Sequence, residues 1–175
     1  MNRPATSEDP LILTALFDTE TQARFEELRR RYFPPERNFI PAHLTLFHHL
    51  PGDERAHISA TLRDECGSLP PPDFQTVGPL DLGRGAAVKI ECPALDALRK
   101  RLAGHWSAWL TRQDQQGFRP HVTVQNKVDR ATALSTLRLL ATHELPPSAG
   151  RVEGLRMWAY LGGPWELLDE FPFGG

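Results

Sequence analysis

Apolar positions along the chain change their spacing at regular intervals, and each change marks an element. Leu11 to Phe17 is a nearly continuous apolar run, the pattern of a strand covered on both faces. Phe25, Leu28 and Tyr32 then recur at helical intervals; Thr19 and Gln22 have capping-box spacing at the start of that helix, and Pro34-Pro35 ends it. Alternation follows from Pro41 to Leu50 and is closed by Pro51-Gly52. Asp53 is expected to cap a second helix with Ile58, Leu62 and Cys66 on one side and Gly67 as its stop, before a proline-rich loop over 68–73. Phe74 to Leu82 and Ala86 to Cys92 read as a hairpin around Gly83-Arg84-Gly85. Pro93 opens a third helix whose stripe of Leu95, Leu98, Leu102, Trp106 and Trp109 makes both tryptophans core residues. A strand from His121 follows, and Asp129 caps a fourth helix with Ala133, Leu134, Leu137, Leu140 and Ala141 inward. Arg151 to Leu161 and Trp165 to Phe171 are two last strands joined at Gly162-Gly163-Pro164.

Two of these strands carry the same chemistry. His43-Leu44-Thr45-Leu46 and His121-Val122-Thr123-Val124 each put an imidazole and a hydroxyl on one face and apolar residues on the other, because strand side chains alternate. By the same alternation Phe47 shares the His43 face, and Gln125 and Lys127 share the His121 face. A single strand His-x-Thr is usually a half-exposed sheet face; a matched pair about half a chain apart is not explained that way. The element order falls into two similar halves, each roughly of strand, helix, motif strand, helix and hairpin, when the strand Ala86 to Cys92 is counted as ending one half and beginning the next. An internal duplication of this kind brings both histidines to one central groove.

Composition narrows the setting. The chain of 175 residues is sized for one domain, with residues 1–9 expected to be flexible, and 40% hydrophobic and 24% charged residues are ordinary globular values. No apolar run is long enough for a membrane helix and the N-terminus has no signal core, so a cytoplasmic protein without a membrane partner, and a monomer, is expected. Cys66 and Cys92 suggest no disulfide framework. A net charge of −2 argues against a broad basic surface, so contact with a nucleic acid is expected to be local, at an end or a single nucleotide.

Two imidazoles facing one groove can serve as general base and general acid in one step, and two hydroxyls can donate to non-bridging oxygens. A phosphodiester uses all four groups and needs no metal or other cofactor. The sequence has no His-Glu-x-x-His, no nucleophile elbow and no phosphate loop. His48 and His49 read as strand-end or surface residues, and His57, His105 and His143 as structural or solvated side chains of helices. Phe47, Trp158 and Tyr160 are the aromatic candidates for stacking on a base, weighed against a place in the core.

The paired motifs resemble the signature of the 2H phosphoesterases, and the order of elements resembles their 2'-5' RNA ligase branch over nearly the whole chain. That resemblance implies a bilobal α+β fold: two pseudo-symmetric lobes of mostly antiparallel strands, helices packed outside and a central groove. It implies metal-independent hydrolysis of 2',3'-cyclic phosphates on RNA ends or related cyclic nucleotides. His43 would protonate the departing ribose oxygen, His121 would activate water, and Thr45 and Thr123 would hold the phosphate. Many of these enzymes carry a basic residue after the second motif; this chain reads Gln125-Asn126-Lys127, and Lys127 is the candidate to replace that charge. An RNA 2'-5' end-joining enzyme and a non-catalytic reader of RNA ends or nucleotides are the alternatives.

Overall fold

A computed structural model describes residues 3–145 and 148–174. The elements follow the expected order: β1 (Leu11–Phe17), α1 (Thr19–Tyr32), β2 (Thr45–Leu50), α2 (Arg55–Gly67), β3 (Asp73–Asp81), β4 (Ala86–Glu91), α3 (Pro93–His105), β5 (His121–Gln125), α4 (Arg130–Leu139), β6 (Ala149–Tyr160) and β7 (Trp165–Pro172). The protein is α+β, with seven antiparallel strands in the order β2-β1-β6-β3-β4-β5, and β7 also paired to β6.

Strand β6 is the seam between the lobes. Its first residues, Ala149 to Arg151, pair with β3, and the remainder pairs with β1 on one side and β7 on the other. The lobe of the first motif is therefore β2-β1-β6-β7 and that of the second is β5-β4-β3. The hairpins are exchanged relative to the two halves read from sequence: β6 and β7 complete the lobe of the first motif, while β3 and β4 build that of the second. The order β2-β1-β6 in one lobe mirrors β5-β4-β3 in the other, and both motif strands are at edges.

Capping chemistry explains several local boundaries. Asp18, not Thr19, is the N-cap of α1, its carboxylate accepting from the Thr21 backbone N–H at 2.9 Å. Asp129 caps α4 through the Thr132 N–H, as expected. Helix α2 starts after a short turn over Gly52–Glu54, with Glu54 in place of Asp53 at the cap, and buries Ile58, Leu62 and Cys66. After α4 the backbone widens into a π turn over Leu140–Glu144, which leaves Ala141 outside the apolar face; the side chain of His143 lies outside the described residues. Near the N-terminus, the Thr6 backbone N–H and hydroxyl both donate to the Asp9 carboxylate.

The core joins Leu11, Leu13, Leu44, Leu46, Leu62, Leu98, Trp106, Val122 and Leu155 with a ring cluster of Phe17, Phe25 and Phe74. Cys66 and Cys92 are both buried free thiols, and burial pushes the Cys66 thiol up to about 12. No helix among the described residues is long and apolar enough to cross a membrane.

Candidate active site

One face of α1 builds the approach to the first motif. Gln22, Glu26 and Arg29 recur one helical turn apart, so they share that face. The Gln22 side-chain amide donates to the Ala42 carbonyl at 2.9 Å, and Glu26 accepts from the Ala42 N–H at 2.7 Å. Gln22 thus secures the residue before His43 instead of closing a capping box. Buried Arg29 donates to Asn38, to the Ile40 carbonyl and, on β5, to the Thr123 carbonyl at 2.9 Å. Arg99 of α3 acts similarly on the other strand, donating to the Leu46 carbonyl at 2.7 Å and to the Asp114 carbonyl at 2.6 Å. Each motif strand therefore has a carbonyl held by a buried guanidinium, which satisfies polar groups left over at a sheet edge.

His43, Thr45, His121 and Thr123 line one cavity of about 160 Å³, together with Ile12, His48 and Trp165. The imidazoles are anchored alike: Nδ1 of His43 lies 2.7 Å from the Pro41 carbonyl, and Nδ1 of His121 lies 2.7 Å from the Arg119 carbonyl. A carbonyl can only accept, so each Nδ1 carries the proton and each Nε2 is left for chemistry. Loss of hydration pulls the His43 pKa down to about 4; the Pro41 carbonyl opposes this, and the nearby Arg29, His121 and His48 add to it.

A bulge follows each motif and moves the next residues off their expected faces. Thr14 pairs with Thr45 but Leu13 pairs with Phe47, so β2 carries an extra residue; Ala87 pairs with Thr123 and Ala86 with Gln125, so β5 does the same. In consequence Leu46 and Phe47 are both buried, as are Val124 and Gln125. Phe47 is a core ring, 5.2 Å from Trp106 and 3.8 Å beneath the Arg99 guanidinium, and cannot stack on a ligand. The Gln125 amide donates to the Thr136 hydroxyl of α4 at 2.8 Å, which removes it from the groove. Lys127 lies beyond the end of β5 with φ of 61°, is exposed, and lines neither this cavity nor its neighbour.

The aromatic candidates also rearrange. Trp158 is 8% exposed and donates its indole N–H to Thr14 at 2.9 Å, so it backs the site from beneath. Tyr160 is exposed and lines neither cavity. The ring at the groove is Trp165, 4.7 Å from the His43 ring and 6.0 Å from Trp158. His48, read as a strand-end residue, lines the cavity because the bulge returns it to the His43 face. Its Nδ1 is 3.0 Å from a carboxylate oxygen of Asp114, in a stretch of chain that no apolar pattern marks. Beside this cavity, a second of about 380 Å³ shares Thr45, His48 and His121 and is closed by Leu80, Leu82, Phe118 and Arg119. Among the described residues no three His, Cys, Asp or Glu side chains are grouped to hold a metal ion.

A description of the 2'-5' RNA ligase superfamily matches residues 17–164, which contain both motifs. The chain belongs to the 2'-5' RNA ligase superfamily. It is thereby one of the 2H phosphoesterases, a superfamily of phosphoesterase and ligase-like enzymes. Solved structures agree on the superfamily fold. The Thermus thermophilus protein TT0787 is 19% identical with a TM-score of 0.61, over 95% of this chain and 98% of that one. Escherichia coli LigT complexed with 3'-AMP is 17% identical with a TM-score of 0.61, over 95% and 99%. Kluyveromyces marxianus Usb1 with uridine monophosphate is 17% identical with a TM-score of 0.50, over 95% and 99%. At such identities these likenesses bear on the fold of the superfamily alone. No curated protein matches the chain significantly in sequence.

Proposed function

We propose that the protein is a metal-independent phosphodiesterase that opens 2',3'-cyclic phosphates on RNA ends or cyclic nucleotides to 2'-phosphates. The observation that carries this reading is the pair of imidazoles, each with Nδ1 held by a carbonyl, lining one small cavity with two threonine hydroxyls. Nε2 of one takes a proton from water as its oxygen attacks phosphorus; Nε2 of the other gives a proton to the 3' oxygen as its bond to phosphorus breaks. Thr45 and Thr123 donate to the non-bridging oxygens as charge builds there. Trp165 is the aromatic wall against which the base would stack.

The superfamily resemblance makes His43 the acid and His121 the base. With its pKa drawn down to about 4, His43 is neutral in the free protein near neutrality, and the negative charge of a bound phosphodiester supplies the field that returns its proton. Turnover of a 2',3'-cyclic mononucleotide, with chelator present, tests the reading. Since a positioned proton donor or acceptor is worth on the order of 10² to 10⁴ in rate, His43→Ala and His121→Ala should each lose at least about a hundredfold. A substrate whose leaving group needs no proton should rescue His43→Ala and not His121→Ala. Wild-type rates in either alanine variant would remove that histidine from the chemistry, and joined products in place of hydrolysed ones would make the protein an end-joining enzyme.

A further inference from the structure

We infer that His48 is a third imidazole of this groove, a donor to the phosphoryl group through Nε2, with Asp114 as the residue that positions it. The inference rests on the reading of the groove as a phosphoryl site and adds to it a residue outside both His-x-Thr motifs.

Three observations converge. The bulge at Leu46–Phe47 brings His48 back to the face of His43 and Thr45, where it lines both the small cavity and the larger one beside it. The ring is then oriented. Nδ1 is 3.0 Å from Asp114 Oδ1, and a carboxylate only accepts, so Nδ1 carries the proton and Nε2 is the free end; no hydrogen bond among the described residues takes up that Nε2. Finally, Asp114 is itself immobilised. It is 3% exposed, its carboxylate accepts the backbone N–H groups of His48 and His49 at 2.9–3.0 Å, and its carbonyl is held by Arg99. Burial alone would push the Asp114 carboxyl up, but the His48 side chain and the two backbone donors outweigh it and hold the group below its ordinary value. The result is an ionised carboxylate fixed behind an imidazole whose side chain is 45% exposed and whose other nitrogen is unused.

Of the cationic side chains near the groove among the described residues, Arg119 lines only the larger cavity, whereas His48 lines both. Arg29 spends its guanidinium on Asn38 and two carbonyls, and Lys127 lines neither cavity. When Nε2 carries a proton, His48 offers a charge-assisted donor at the point where the two cavities meet.

Inorganic phosphate is the probe, followed by the imidazole nitrogen resonances of the wild-type protein and by a binding titration. Phosphate should move His48 Nε2 together with the resonances of His43 and His121. His48→Phe, which keeps a ring at a half-exposed position, should fold normally and bind phosphate roughly ten- to a hundredfold more weakly, the loss expected for one hydrogen bond to a charged group. Asp114→Asn should scramble the His48 tautomer seen in the nitrogen shifts, and Asp114→Glu should restore it in part. Phosphate that shifts His43 and His121 but leaves His48 unmoved, or binds His48→Phe as tightly as wild type, overturns the inference while the groove reading stands. Phosphate binding that depends on His48 in a protein that opens no cyclic phosphate sustains the inference and overturns the proposed reaction.

Discussion

His43 pays for its position in stability at low pH. Its pKa falls from the ordinary 6.5 to about 4, so between those values the unfolded chain binds a proton that the native protein does not. Stability contributed by the neutral ring is present above pH 6.5 and is lost as pH falls toward 4. Melting temperatures measured at pH 7.5 and pH 5 should therefore diverge more for wild type than for His43→Gln, and an equal drop in both would assign the acid sensitivity to other groups. Two aromatic residues divide along the same line between site and core. Trp165→Ala should raise KM for a cyclic nucleotide by about tenfold with little loss of stability, since stacking on a base is worth roughly 1–3 kcal/mol. Phe47→Ala should instead cost about 3–5 kcal/mol of stability, read by denaturant unfolding, as removal of a buried ring does. Residue types were legible at this scale, because His-x-Thr twice over in apolar surroundings needs no partner strand to be noticed. Trp165 and Asp114 were not: Trp165 comes from the last strand, and Asp114, although seven residues before His121, is 66 residues from the His48 it holds, so only the assembled sheet and loop bring them there.

Among the elements, the strands and helices follow from apolar spacing, although β2 starts at Thr45 instead of Pro41 and α3 ends at His105, before Trp109; the bulges do not. A bulge is a mismatch between two strands, so the sequence of β2 or β5 alone cannot announce it; it exists only in the register against β1 and β4. The unseen bulges account for Phe47, Gln125 and His48 together, since an extra residue moves the side chains after it to the other face, until in β2 a second register shift between the Leu13–Phe47 and Leu11–Leu50 pairs moves them again. Gly85 records the same constraint, because a Cβ there would run into the Gln125 carbonyl and the Asn126 Cα at the β5 bulge. Helix α1 is the other positioning element, and Arg29 is its longest reach. Arg29→Met should leave the Thr123 and Ile40 carbonyls without their donor, at about 1–3 kcal/mol for each that stays buried. Turnover should fall further than stability explains, because Thr123 and the run into His43 lose a shared anchor; activity that merely tracks the folded fraction would show that the anchor is structural only.

For the whole molecule, two similar halves and a central groove were readable from the spacing of the motifs, whereas the exchange of hairpins was not. Apolar alternation says that a strand has a buried face, and says nothing about which of several equally apolar neighbours it pairs with. The exchange has a consequence for how the chain reaches its native state. Strand β1 sits between β2 and β6, and β6 begins more than a hundred residues later in the sequence. During synthesis the first lobe can form β1 with β2 and α1 early, yet it must wait with one apolar ladder open until nearly all of the protein has emerged. Closing that gap demands a large loop entropy before any reward, so assembly is governed by long-range contacts and is slow for a protein of this size. In the interval the unpaired edge of β1 is the part of the nascent chain most open to pairing with another copy of itself, and it is where a chaperone would be needed first.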